Sequence, residues 1–103
     1  MISLKDRKTL ITGGSRGIGR AAALLFAEAG SDVAITYQCR DKAALEVKAG
    51  VEAKGRECLI YKTEISRKND VDAMVEDVVR RWGRVDVLVN NAGIWTYLEI
   101  GSG

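Results

Sequence analysis

Apolar positions divide the chain into short apolar runs and longer amphipathic stretches in strict alternation. Residues 8–12 have a short apolar middle, Leu10 and Ile11, as a buried parallel strand should. Over residues 18–29, Ile18, Ala22, Leu25, Phe26 and Ala29 recur at helical spacing and predict one apolar face. Gly30 follows where a left-handed residue ends a helix. Residues 33–37 are β-branched enough for a second strand. Asp41 is the expected N-cap of a helix reaching about residue 54, with Ala44, Val47 and Val51 on its buried face. Gly50 inside that helix costs about 1 kcal/mol relative to Ala, and only close packing accounts for it. Gly55 closes the helix, and residues 58–63 form a third strand. Ser66 is the expected cap of the next helix, where Val71, Met74, Val75, Val78, Val79 and Trp82 give the clearest amphipathic pattern. Glu76 with Arg80, and Asp77 with Arg81, are expected i,i+4 pairs on its solvated face. Gly83 ends this helix, and residues 85–90 form a fourth strand before Asn91-Ala92-Gly93.

The order β-α-β-α-β-α-β implies an α/β fold, with a doubly wound parallel sheet, right-handed crossovers and helices on both faces. In the strand order 3-2-1-4, the direction of winding reverses between the first and fourth strands. A ligand crevice is expected there, beyond the carboxyl ends of the strands.

Two turns converge on that point. After the first strand comes Gly13-Gly14-Ser15-Arg16-Gly17-Ile18-Gly19, with Gly13, Gly17 and Gly19 at the spacing G-x-x-x-G-x-G. Gly13 lets the backbone leave the strand at a dihedral angle other residues resist. Gly17 carries no side chain to hold a diphosphate away. Gly19 allows close packing of the new helix, whose unpaired N–H groups and positive dipole end suit an anion. A nucleoside-triphosphate loop needs Lys and Ser or Thr where Arg20 and Ala21 stand. A methyltransferase loop binds no diphosphate and would have no use for Arg16. The second turn, Asn90-Asn91-Ala92-Gly93, follows the fourth strand, and a polar turn without a ligand is the alternative reading of its asparagines.

The chain has 103 residues, 47% of them hydrophobic, which fits one small domain with a real core. A net charge of +2 gives no argument for nucleic acid or membrane binding. No apolar run reaches bilayer length, and the first residues lack the apolar stretch of a signal peptide. Cys39 and Cys58 match no metal spacing, and there is no histidine to act as base or ligand. Both cysteines are expected to be reduced in a cytoplasmic protein, and no metal is expected.

The end of the second strand bears on which dinucleotide fits. NAD sites place an acid there for the ribose 2′-hydroxyl. Here the strand runs into Tyr37-Gln38-Cys39-Arg40, with no acid before Asp41. Arg16 and Arg40 have the planar fork that meets a 2′-phosphate, which favours NADP(H) over NAD(H). The alternative for Arg40 is an ordinary surface residue.

Together, Thr12-Gly13-Gly14-Ser15-Arg16-Gly17-Ile18-Gly19 and Asp86-Val87-Leu88-Val89-Asn90-Asn91-Ala92-Gly93 resemble the short-chain dehydrogenase/reductase family, over nearly the whole chain. In detail it looks like the bacterial 3-oxoacyl-acyl-carrier-protein reductases and their many relatives among sugar and alcohol dehydrogenases. The resemblance implies a Rossmann-like fold over residues 1–103. It also implies that Gly13, Gly14, Ser15, Arg16, Gly17, Ile18 and Gly19 hold the diphosphate and adenosine ribose. Tyr37, Gln38 and Arg40 would surround the 2′-phosphate. Glu64, where many relatives carry Asp, and Ile65 would flank the adenine. Asn90, Asn91, Ala92 and Gly93 would line the cofactor. Hydride transfer between NADP(H) and a small-molecule carbonyl or alcohol, such as a 3-oxoacyl thioester, is the implied activity, in a homo-oligomer.

The family's proton-transfer group is Tyr-x-x-x-Lys with a Ser and an Asn. Four residues after Tyr37, Tyr61 and Tyr97 stand Asp41, Ile65 and Gly101, so no tyrosine here has the lysine. The chain is therefore expected to be the cofactor-binding front half of a longer enzyme, with catalytic and substrate-binding parts absent. A non-catalytic dinucleotide-binding module and an inactive truncated fragment are the alternatives. Alone, the fourth strand would be a bare edge through which the chain is expected to dimerise or aggregate.

Overall fold

A computed structural model describes residues 4–15, 17–63 and 67–91. The elements are β1 (Lys8–Thr12), α1 (Gly17–Glu28), β2 (Asp32–Tyr37), α2 (Asp41–Ala53), β3 (Cys58–Lys62), α3 (Lys68–Trp82) and β4 (Val87–Asn90). The strands form one parallel sheet in the order β3-β2-β1-β4, as the sequence predicts.

Side-chain alternation in the central strands builds a core on each face. Ile11, Val33 and Ile35 meet Ala23 and Ala27 of α1 and Ala44, Val47 and Val51 of α2. Leu10 and Ala34 meet Val71, Met74, Val75 and Val78 of α3. The α3 face is the one its periodicity predicts. Gly50 also finds its reason, because a Cβ there would lie 2.8 Å from a Leu24 methyl on α1.

The expected face of α1 is corrected. Gly19, Ala23 and Ala27 are its buried residues, while Ile18 and Leu25 are 78% and 67% exposed. Small residues let the helix lie close on the sheet, so Ile18 and Leu25 are left outside, while Ala22 and Phe26 of the expected face pack partly buried against the core. The caps differ too. Arg40, in the left-handed region at φ 68°, is the residue before α2, and Asp41 is the first helical residue. Its carboxylate still suits the positive helix end and pairs with Lys62 at 3.4 Å. Helix α3 starts at Lys68 after Arg67, neither cap residue making a side-chain cap bond. Ser66 lies outside the described residues.

The face of α3 read as solvated also holds a cluster. Asp77 accepts a hydrogen bond from the Tyr61 hydroxyl at 2.6 Å and from Arg81 at 2.8 Å. Arg80 pairs with Asp77, the position before it being expected to hold that partner. The Tyr61 bond, then Arg81, holds the Asp77 carboxyl down at about 2. Burial, then the bond to Asp77, pushes the Tyr61 phenol up. Burial pushes the Cys58 thiol up to about 12. Asp32 is pushed up by burial, but bonds from Lys8 and the Glu57 N–H, with the charges of Lys8 and Arg56, leave it below the usual range.

Two tests follow from this packing. Ala23→Leu should cost about 1–3 kcal/mol in urea denaturation by overfilling the α1–sheet contact, whereas Leu25→Gln should stay within about 0.5 kcal/mol. Stability should also fall at both pH extremes. Asp77 has a lowered folded pKa, so its contribution is present above about pH 4 and lost as pH falls towards 2. Tyr61 and Cys58 have raised ones, so theirs are present below about pH 9 and lost as pH rises beyond it. Tyr61→Phe should reduce the Asp77 part of the acid limb and leave the Cys58 part of the alkaline limb; an unchanged acid limb would refute the Tyr61–Asp77 coupling.

Candidate functional site

The turn after β1 is fixed from both sides by its neighbouring strands. Gly13 leaves the strand at φ 67°, the left-handed conformation its sequence position predicts. Its N–H donates to the Thr36 hydroxyl at 3.2 Å, and the Gly14 N–H donates to the Thr36 carbonyl at 3.1 Å. Both interactions fasten the turn to β2. From the residue after β4, the Asn91 amide donates to the Gly13 carbonyl at 3.2 Å. The Thr12 hydroxyl donates to the Asn90 side-chain oxygen at 3.2 Å.

These bonds leave no room for side chains on the inner faces of the turn. A Cβ on Gly14 would lie 2.4 Å from the Ile35 methyl. One on Gly19 would lie 2.2 Å from the Gly13 carbonyl oxygen and 2.9 Å from the Asn91 amide nitrogen. Gly19 thus packs against the turn itself. Gly17 is different: at φ 60°, its Cβ would meet nothing within 4 Å. The open side of the turn is therefore at Gly17, where α1 begins. The first N–H groups of a helix have no acceptor within it, and its positive dipole end faces the same space.

The structure thus brings Gly13, Gly14, Gly17, Gly19, Asn90 and Asn91 together at the carboxyl ends of β1 and β4. Ser15 is buried in the turn, and Ile18 stands exposed at its mouth. Tyr37, half-buried, and Gln38 and Arg40, both exposed, lie at the end of neighbouring β2. Arg16, Glu64, Ile65, Ala92 and Gly93 lie outside the described residues. Sequence reasoning missed Thr36. Its only signal is a hydroxyl following the apolar run Val33-Ala34-Ile35, which needs a partner once buried. The shifted carboxyls Asp32 and Asp86 stand at the other end of the sheet, where β2 and β4 begin. Among the described residues, no cluster of three or more His, Cys, Asp or Glu could hold a metal. No helix among them is long and apolar enough to cross a membrane. The geometry suits an anion cradled by backbone N–H groups.

The family model for short chain dehydrogenases matches residues 7–101. The chain belongs to the short-chain dehydrogenase family. It is 44% identical over 90 residues to the 3-oxoacyl-[acyl-carrier-protein] reductase FabG of Staphylococcus epidermidis, covering 86% of this chain and 36% of that protein. A short chain dehydrogenase from Burkholderia cenocepacia, solved in complex with NADP, superposes with a TM-score of 0.84 at 41% identity, covering 94% of this chain and 40% of the other. An NAD+-bound xylitol dehydrogenase superposes with a TM-score of 0.77 at 32% identity, covering 82% and 32%. The Rossmann-like fold is shared, and this chain spans about a third of the length of the curated relatives it matches.

Loss of the tie to β2 should be measurable. Thr36→Val keeps the shape but strands the Gly13 N–H, and should cost about 1–3 kcal/mol in denaturant unfolding. Thr36→Ser should recover most of that loss.

Proposed function

We propose that this chain is the NADP(H)-binding portion of an oxidoreductase that moves a hydride between NADP(H) and a carbonyl or alcohol. A 3-oxoacyl thioester is the substrate favoured by the likeness to the Staphylococcus reductase. The observation that carries the reading is the Asn91–Gly13 bond, which joins the two turns at the switch point between β1 and β4.

Ser15, Gly17, Ile18 and Gly19 hold the diphosphate at the open side of the turn, with Gly13 and Gly14 shaping that turn and Arg16 adding charge. Tyr37, Gln38 and Arg40 take the adenosine end and its 2′-phosphate. Glu64 and Ile65 flank the adenine, and Asn90, Asn91, Ala92 and Gly93 line the nicotinamide side. When bound, the dinucleotide supplies or accepts the hydride. Preference for NADP(H) over NAD(H) rests on the lack of an acid between Tyr37 and Arg40 and on Arg40 at the start of α2. The NADP-bound Burkholderia relative is consistent with it. Proton transfer belongs to residues outside this sequence, since no tyrosine here has a lysine four positions on. The same observation favours a second reading, a dinucleotide-binding module without turnover. The parent enzyme is read as a cytoplasmic homo-oligomer.

Calorimetric titration tests both the site and the preference. NADPH should bind at least about tenfold tighter than NADH, a difference of about 1.4 kcal/mol. Arg40→Ala should weaken NADPH and leave NADH unchanged. Absence of heat with both dinucleotides would overturn the reading. Binding to the intact protein without turnover of any carbonyl would favour the second.

A further inference from the structure

Helix α2 begins on an acid. Asp41 is its first residue and the first acid after β2. It stands about 20 residues past Gly19, the separation at which an NAD site carries the carboxylate for its ribose. A carboxylate in that role repels a 2′-phosphate. Arg40 and Asp41, neighbours in the chain, therefore call for opposite cofactors, and the placement of the Asp41 side chain decides which prevails.

The structure turns that side chain towards β3. An Asp41 carboxylate oxygen lies 3.4 Å from the Lys62 ammonium, and both residues are exposed. The backbone behind each is fixed. The Arg40 carbonyl accepts the Ala44 N–H at 3.1 Å, which sets the first turn of α2 and Asp41 with it. Lys62 is opposite Tyr37 in the sheet, and the Thr63 N–H donates to the Tyr37 carbonyl at 2.8 Å. Side chains alternate along a strand. Cys58 and Ile60 pack with the α1–α2 core, so Lys62 continues their face at its rim, beside the start of α2. An exposed ion pair adds little to stability. Its consequence is where it puts the Asp41 charge.

Resting on the reading of Tyr37, Gln38 and Arg40 as the 2′-phosphate end of the dinucleotide site, we propose that Lys62 is a positioning residue for the choice of cofactor. It draws the Asp41 carboxylate to the β3 side and keeps it from the ribose 2′ position, so that Arg40, not Asp41, meets the 2′-phosphate. Without Lys62 the carboxylate is released. It then repels the phosphate of NADPH, which carries close to two negative charges, and is available to accept from the 2′-hydroxyl of NADH. One cofactor is weakened and the other is not.

Calorimetric titration with NADPH and NADH reads the ratio of the two affinities. Lys62→Met should lower the NADPH/NADH ratio at least about threefold, with little change in melting temperature. Lys62→Arg should keep the ratio, because a guanidinium pairs with Asp41 as an ammonium does. In the Asp41→Asn background, Lys62→Met should leave the ratio unchanged. A ratio unmoved by Lys62→Met with Asp41 in place would overturn the proposal, as would both affinities falling together, the mark of a merely structural lysine. The same loss of ratio in both backgrounds would overturn it too, since a lysine bound to the phosphate itself does not act through Asp41. A wild-type chain that binds neither dinucleotide, or binds NADH tighter, would overturn the reading of the site and the role of Lys62 with it. That failure is distinct from the others, in which the wild-type chain still prefers NADPH.

Discussion

The structure depends on how the polar backbone of one turn is satisfied. Gly13 and Gly14 leave β1 with their N–H groups bound to Thr36 and the Gly13 carbonyl bound to Asn91. Buried peptide groups without partners are costly, and here the partners come from the strands on either side of β1. Only an order that places β2 and β4 beside β1 supplies both. Strand order and site are thus one constraint, because the same neighbours that order the sheet hold Gly13 and Gly14.

That division of labour explains which parts were legible in sequence. The alternation of strands and helices, the order β3-β2-β1-β4 and the buried face of α3 follow from periodicity and connection rules, and the structure has them. The turn glycines were legible as a motif. Their separate duties were less so: Gly13 and Gly14 use their N–H groups within the fold, and only Gly17 stands open. Thr36 could not be found, because its partner Gly13 is 23 positions away and the residue looks like any β-branched strand member. Caps were poorly legible because acids suit the first helical turn as well as the cap, as Asp41 illustrates.

Helix α1 misled for a different reason. Periodicity weights large apolar residues, but the distance between a helix and a sheet is set by what stands between their backbones. Gly19, Ala23 and Ala27 occupy that contact, and the turn oxygen behind Gly19 excludes even a methyl. With the small face taken inward, the larger apolar residues Ile18 and Leu25 have only the outside left. Leu24 lies on the flank towards α2, where Gly50 makes room for it.

Charge is distributed along the strands in a way that suits the same end of the sheet. At the amino ends, Asp32 is held by Lys8 and Arg56, and Asp86 by Arg84 and the Lys8 N–H. These carboxylates are neutralised locally and stand a strand length from the glycine turn. At the carboxyl ends, the described groups are the turn, the start of α1, the two asparagines and Arg40, and the nearby Asp41 faces Lys62. An anion approaching the crevice between β1 and β4 therefore meets N–H dipoles, while Asp32 and Asp86 lie at the other end of the sheet. Had the Asp32 network been built at the opposite end of β2, the carboxylate that closes the bottom of the sheet would instead have repelled a phosphate at its top.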